Sequence, residues 1–397
     1  MKKSTSWVLW FGSPEKHADI RYVTGVNAPD EIVVLGGVAP CQTGVRGKGL
    51  GVSGQWSVIS SELEYGRIRQ AFRKGKVWTP QMLKKAVKPW RGMGKEEAGW
   101  GTAILRLLRH HTARRVTVPW EFPVGMADFL GRHGVKVRIG KDLNLSRVIK
   151  TAHEQRKIAA TQAVARAAMA LAGRMIRGAT ADRNGTLRWH GKPLTSETVK
   201  AHIRALVVAR GCMDTGTIVA GGRQGANPHE TGHGPLKTGE LIVVDIFPQD
   251  CETGYWGDMT RTFHHGALSP ERRAMLRAVK QAHKAALATL RPGISGKVPH
   301  RAAEKALGQA GFETALQDGL PVGFIHSTGH GVGLAIHESP TLSRRSATTL
   351  RPGMVVTVEP GLYYPGQGAC RIEDVVQVTD AKPKMLSNFH YDWEIKQ

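Results

Sequence analysis

Two stretches of the chain put acidic side chains where a lone carboxylate is costly. In LIVVDIFPQDCETGYWGDMTRTF, Asp245 follows the apolar run Leu241–Val244, and Asp258 opens the next strand-like run. In VVTVEPGLYYPGQGACRIEDVVQVT, Glu359 follows Val355–Val358 and Glu373 sits within Arg371–Val376. An aspartate at a strand end usually caps a turn. Two acid pairs at the mouths of apolar strands ask instead for a cation or an arginine as partner. Four clustered carboxylates would repel one another until at least one stayed protonated, a conflict that two divalent cations remove. Imidazoles are at hand in HSTGHGVGLAIHESP, where His330 is flanked by Gly329, Gly331 and Gly333, with His326 and His337 in the same run. The glycines are expected to let backbone and ring approach a metal closely. A lone histidine is more often structural, but three within twelve residues, between two acidic hairpins, reverse that expectation. His229 and His233 precede the first acidic strand, His233 being expected at the surface. Such an oxygen-rich set with imidazoles suits manganese, cobalt or zinc over a soft-metal thiolate site.

Paired acids need strands to present them. Leu241–Phe247 and Asp258–Phe263 read as one antiparallel hairpin, and Met354–Glu359 and Arg371–Thr379 as a second, each joined through a Gly-containing loop. Thr151-Ala152-His153-Glu154 matches a capping box and opens an Ala-rich helix to about Arg177, with Gly178 beyond its end. Further helices are expected over Ser196–Arg210, from Ser269-Pro270-Glu271 to before Pro292, and over Val298–Ala310. Residues 1–150 alternate strand-like runs (Trp7–Phe11, Glu31–Leu35, Trp56–Ile59, Arg115–Pro119, Val135–Ile139) with helical ones (Glu96–His110, Pro123–Arg132). That alternation predicts a small α/β domain over 1–150 with structural work, ahead of a second domain over 151–397. Lys74–Lys95 is basic and poorly periodic, and is expected to be a loop with one helical turn.

A chain of 397 residues, 41% hydrophobic and 22% charged, can bury a sizeable core and is neither wholly disordered nor collagen-like. No apolar run approaches the roughly 20 residues that span a bilayer, so no membrane role is expected. Met1-Lys2-Lys3 and the short stretch Trp7–Phe11 lack a small-residue cleavage site, which favours a buried first strand over a targeting segment. The four cysteines (Cys41, Cys212, Cys251, Cys370) are far apart and are expected to be free thiols in a reducing cytosol. Net charge is +24, and residues 1–150 carry 26 basic against 11 acidic side chains. Such a field favours polyanions, yet no recognition helix or basic–aromatic run accompanies it, so nucleic-acid binding is not expected as the main role.

With these motifs in hand, the sequence resembles the pita-bread metallopeptidases, the family of Xaa-Pro aminopeptidase, prolidase and methionine aminopeptidase. The resemblance implies an α/β (α+β) architecture: a creatinase-like N-terminal domain, then a pita-bread catalytic domain with a curved antiparallel sheet. It implies that Asp245 chelates one metal, that Asp258 and Glu373 bridge both, and that His330 and Glu359 complete the second. His229 resembles the histidine that stabilises the scissile peptide, and His337 the one that contacts the substrate carbonyl. His326 occupies the place of a supporting histidine, and Arg371 that of an arginine orienting the carboxylates from behind. One departure stands out: many members have Gly two residues after the first aspartate and a shorter path to the second, whereas here Asp245-Ile246-Phe247-Pro248 intervenes. Pro248 should make the hairpin bulge or open.

The expected chemistry is a hydroxide bridging two cations about 3.5 Å apart, with Glu359 moving the proton. The expected activity is hydrolysis of the Xaa-Pro bond at the N-terminus of short peptides, with manganese the favoured metal, in a cytoplasmic homodimer. A prolidase-type dipeptidase is the nearest alternative. A non-catalytic module binding nucleic acid or histones is a second, opposed by the complete ligand set.

Overall fold

The computed structural model describes residues 6–38, 55–90, 99–140, 143 and 145–391. The chain divides into two compact units, Met1–Arg147 and Val148–Gln397.

The first unit is a mixed six-stranded sheet between helices. In chain order it runs β1 (Ser6–Gly12), α1 (Ala18–Thr24), β2 (Ile32–Val38), β3 (Trp56–Ile59), α2 (Tyr65–Ala71), β4 (Gly75–Trp78), α3 (Pro80–Ala86), α4 (Trp100–His110), β5 (Arg115–Val118), α5 (Val124–Arg132) and β6 (Lys136–Ile139). The strand order is β4-β3-β2-β1-β5-β6. The apolar run of β1 is explained by burial on both faces. Trp7 and Leu9 join the core under α3, α4 and α5, while Val8 and Trp10 join the opposite core under α1 and α2.

The structure corrects the loop expected over Lys74–Lys95. Residues 75–78 form β4, parallel to β3, and Pro80–Ala86 is a helix capped by Thr79, whose Oγ1 accepts from Met82 N at 3.3 Å. Val77, Trp78 and Leu83 are buried while Lys76, Lys84 and Lys85 face solvent, so the basic residues coat a packed segment. Residues 91–95 lie outside the described residues, as do 96–98 of the helix expected from Glu96. The seven-residue helices α1 and α2 were not anticipated, being too short to establish a helical period.

The short α6 (Leu145–Val148) spans the division, and the second unit opens with the long α7 (Ala152–Arg177), with the capping box formed: Thr151 Oγ1 accepts from Glu154 N, and Glu154 Oε2 accepts from Thr151 N. Its buried positions Ile158, Gln162, Ala165, Met169, Ala172 and Ile176 recur at three- and four-residue spacing, one stripe facing the sheet. A small three-stranded sheet follows, β7 (Thr180–Ala181), β8 (Leu187–Trp189) and β9 (Lys192–Pro193), and then α8 (Ser196–Ala209). Next come β10 (Cys212–Asp214), β11 (Ile218–Gly221), β12 (Ile242–Ile246), β13 (Pro248–Asp250) and β14 (Met259–Phe263), with α9 (Pro270–Thr289) and α10 (Lys297–Gln309) after them. The hairpin β15 (Ala315–Gln317) and β16 (Leu320–Val322) leads to β17 (Gly329–Gly331), β18 (Glu338–Leu342), β19 (Val355–Val358), β20 (Gly361–Tyr364), β21 (Gly368–Arg371), β22 (Asp374–Gln377) and β23 (Lys384–Met385).

Two antiparallel sheets dominate, β11-β12-β14 and β18-β17-β19-β22-β23, and α7 and α8 bury their apolar stripes against the first. The strand expected over Arg371–Thr379 is two strands, β21 and β22, with Ile372 and Glu373 between them. Pro248 opens the first hairpin as expected: β12 stops at Ile246, and the chain re-pairs at Pro248 with β10. Among the described cysteines, Cys212, Cys251 and Cys370 are free thiols, and Cys41 lies outside the described residues. No described helix is long and apolar enough to cross a membrane.

The capping box gives a direct test of how α7 is held. Thr151→Ala removes the cap and should destabilise the second unit by about 1 kcal/mol, read as a lower urea midpoint with an unchanged slope.

Candidate metal centre

The two hairpins present their acids through register. Asp245 on β12 pairs across the sheet with Thr260 on β14, so Asp258, two residues before Thr260, lies diagonally opposite on the same face. In the second sheet Val358 pairs with Asp374, which brings Glu359, just past β19, beside Glu373 in the gap before β22. His330 is the middle residue of β17, next to β19. The flanking glycines serve strand packing: a Cβ at Gly329 would strike the Thr357 carbonyl, and one at Gly331 the Ser339 carbonyl.

Ligand-capable atoms of Asp258, His330 and Glu373 lie within 4.8 Å of one another. His330 Nε2 stands 3.2 Å from Glu359 Oε1 and 3.8 Å from Asp258 Oδ2. Asp245 Oδ2 accepts from Arg371 Nη2 at 2.6 Å, leaving its buried Oδ1 with no hydrogen bond. All five line one cavity of about 600 Å³, with His229, His326, His337 and Arg371 on the same wall. His337 stacks edge-on against His330 at 4.3 Å between ring centroids. His229 and His337 are exposed at the cavity's edge, and His233 is exposed outside it. Glu338, the acid after His337, faces away in an ion pair with the buried Lys150 at 2.6 Å.

A polar frame that the sequence did not single out fixes these side chains. Thr260 Oγ1 donates to Glu373 Oε2 at 2.8 Å and accepts from Arg371 Nε at 3.2 Å. Thr357 Oγ1 donates to Glu359 Oε1 at 3.2 Å and accepts from His330 N at 3.0 Å. Gln162 of α7 clasps Asp258 through both backbone groups, accepting from its N at 2.8 Å and donating to its O at 2.7 Å. Arg371 Nη1 donates to Tyr363 Oη at 2.7 Å, and Tyr363 Oη lies 2.9 Å from His326 Nε2. Because His326 Nδ1 faces the Ser327 carbonyl at 2.7 Å, the ring carries its proton there and Tyr363 donates to Nε2. Gln162 carried a readable signal, a polar side chain on the apolar stripe of α7. The two threonines did not, since threonine is ordinary in strands.

Electrostatics set the acids apart. Burial and the repulsion of Glu373, Asp245 and Glu359 hold Asp258 well above the usual carboxylate range. Burial and the charges of Glu359 and Asp245 do the same to Glu373. Burial also raises Asp245, against the pull of Arg371. For Glu359 burial opposes ionisation, but the hydrogen bond and charge of His330 overcome it and bring it down to about 2. The same contact lifts His330 to about 9 in spite of its burial. Burial lowers His326 and pushes the Tyr363 phenol up to about 12. A group of acids with burial and mutual repulsion pushing most of them toward protonation, with an orphaned Asp245 oxygen and an imidazole beside them, fits divalent cations of the harder or borderline kind.

A family model for metallopeptidase family M24 matches residues 156–380, the segment that holds Asp245, Asp258, His330, Glu359 and Glu373. The chain belongs to metallopeptidase family M24. It is 36% identical over 199 residues to the probable dipeptidase PepE of Mycobacterium tuberculosis, covering 49% of this chain and 50% of that protein. It is 36% identical over 172 residues to the Xaa-Pro dipeptidase of Pyrococcus furiosus, covering 43% and 47%. The chain thus spans about half the length of the curated relatives it matches. Solved structures share the pita-bread fold along nearly the whole chain. The prolidase of Pyrococcus horikoshii has a TM-score of 0.75 at 23% identity, covering 99% of this chain and 96% of that one. The dipeptidase PepE of Mycobacterium ulcerans has a TM-score of 0.73 at 25% identity, covering 98% and 92%.

The buried acids of this M24 member make opposite predictions with and without metal. In chelator, Asp258→Asn should unfold no earlier than the parent, because it removes one of the repelling charges. With manganese at a hundredfold its dissociation constant the parent should gain about 2.7 kcal/mol for each site filled, and the variant much less. Thermal unfolding in the two buffers reads both.

Proposed function

We propose that the chain is a dinuclear metal-dependent peptidase that hydrolyses the Xaa-Pro bond at the N-terminus of short peptides. The observation that carries this reading is the convergence of Asp258, His330 and Glu373, with Asp245 and Glu359 on the same cavity wall. Asp245, Asp258, His330, Glu359 and Glu373 would hold two divalent cations, manganese for preference. Bound there, the cations supply Lewis acidity and make water acidic enough to react at neutral pH.

The chain's own groups do the rest. Glu359, ionised beside the cations, accepts the proton of the attacking water and hands it to the leaving nitrogen. His229 and His337 donate toward the oxygen on which charge develops, a contribution of about 3 kcal/mol for a well-placed donor. Arg371 holds Asp245 and, through Tyr363, His326, so that the wall beside the acids keeps its shape. Ile218, Pro228, Phe247, Ile325 and Ile336 form the apolar remainder of the lining, suited to a proline ring and an apolar neighbour.

Among the described residues, Arg371 is the one guanidinium or ammonium on the cavity lining, and it already serves Asp245 and Tyr363. A dipeptide would bring its C-terminal carboxylate into this space, whereas a longer peptide would carry that charge outward. This favours the aminopeptidase reading. The names of two relatives, a probable dipeptidase and a Xaa-Pro dipeptidase, favour the second reading, a dipeptidase of prolidase type. A cytoplasmic homodimer is the assembly that accompanies either reading.

Turnover of a Xaa-Pro dipeptide against a Xaa-Pro tripeptide and pentapeptide with manganese separates the two. The aminopeptidase reading expects the longer peptides to be cleaved, and cleavage of the dipeptide alone would leave only the prolidase reading. Asp258→Ala and His330→Ala should abolish hydrolysis, and His229→Ala should lower kcat by about a hundredfold. A parent protein that binds DNA in a salt-sensitive way and hydrolyses none of these peptides would instead mark a non-catalytic module.

A further inference from the structure

Arg261, the residue after Thr260 on β14, is the largest fully buried side chain in the described chain, 2% exposed. Its guanidinium points away from the cavity, and every polar contact it makes lies behind the acids. Nη1 donates to the Thr260 carbonyl at 2.9 Å and to the Glu373 carbonyl at 2.7 Å. Nη2 donates to Asp374 Oδ1 at 2.7 Å and to the Phe389 carbonyl at 3.3 Å, and Nε to the His390 carbonyl at 3.2 Å. Its plane lies over the rings of Phe389 and Tyr391, and Tyr391 Oη donates to Asp374 Oδ2 at 2.6 Å.

These contacts fall at a weak point of the sheet. Glu373 stands in the two-residue gap between β21 and β22, where its carbonyl is outside either ladder. The same peptide reaches across to β14, Glu373 N donating to the Thr260 carbonyl at 3.0 Å. Arg261 therefore clamps both partners of the junction that sets Glu373 against Thr260 and, two residues back, Asp258. The C-terminal segment supports Asp258 as well: Gln162, which holds its backbone, donates to Ser387 Oγ at 2.9 Å, and Ser387 Oγ accepts from Val375 N at 2.8 Å.

We propose that Arg261 is a positioning residue for the metal centre: its fork, seated in the segment Ser387–Tyr391, fixes the spacing between the Asp258 and Glu373 carboxylates. The proposal rests on the metallopeptidase reading, since it concerns the ligands assigned there. Lysine keeps the charge but has three donors on a point-like ammonium, which cannot serve the separated carbonyls and carboxylate that a planar guanidinium reaches.

The test is a calorimetric titration of manganese into the full chain and the variants Arg261→Lys and Tyr391→Phe, with circular dichroism and Tm measured in parallel. Groups that orient metal ligands typically change metal affinity by about tenfold or more, so Arg261→Lys should bind manganese at least tenfold more weakly while its spectrum stays native. Tyr391→Phe loses one hydrogen bond to Asp374 and should weaken binding by about threefold, which keeps the idea testable if the lysine variant fails to fold. A drop in Tm with manganese affinity within twofold of the parent, well below Tm, would mean a purely structural role and overturn the proposal. The titration needs no peptide turnover, so a parent that binds two manganese ions but cleaves nothing defeats the peptidase reading and leaves this one standing. A parent that binds no divalent cation defeats both.

Discussion

Carboxylates packed together out of water repel one another, and Asp245, Asp258, Glu359 and Glu373 share one cavity in this chain. The protein answers the repulsion only in part. His330 keeps Glu359 ionised and Arg371 offsets Asp245, while Asp258 and Glu373 remain pushed toward protonation. A hydrophobic core of the same volume would be more stable without these acids. Their presence makes sense only if a positive group compensates them. The energetic strain and the capacity for metal are therefore the same property viewed in two states.

That strain explains why so much polar structure surrounds the site. Buried acids that repel would splay unless their backbones were fixed, so each hangs from a rigid neighbour. Thr260 joins Glu373 to Arg371, Thr357 joins Glu359 to His330, and Gln162 grips both backbone groups of Asp258. The helix α7 carries Gln162 on the stripe that otherwise packs Ala165, Met169 and Ala172 against the sheet, which makes core packing and ligand placement one arrangement.

The acids and the central imidazole were legible because ionisable groups at the ends of apolar strands break a strong pattern. The capping box of α7 was legible for a similar reason, as both of its partners lie within four residues. What stayed hidden depends on contacts distant in sequence. Thr260 and Glu373 are 113 residues apart and Tyr363 meets His326 across 37, and nothing local marks either. The strand β4 and helix α3 were hidden differently: their lysines coat one side of the segment, so a count of charge read as loop what the burial of Val77, Trp78 and Leu83 makes regular structure. The break at Ile372–Glu373 was invisible too, because no Gly or Pro lies within Arg371–Val376 to mark it.

The long path from Asp245 to Asp258 looked like a threat to their alignment, and the structure shows why it is not. Strand β12 ends at Ile246, so the proline two residues on never enters that ladder. Instead Pro248 begins β13, which pairs with β10, and the Gln249–Trp256 bridge closes the excursion before the chain returns at β14. The extra residues are thus absorbed by a separate pair of strands, leaving Asp245 in register with Thr260. The same excursion shapes the wall: Phe247, at the turn between the two ladders, adds its ring to the cavity lining, its tip 3.6 Å from where a Cβ on Gly216 would stand. In this chain, register sets where the acids stand, while a residue that leaves the ladders shapes the space beside them.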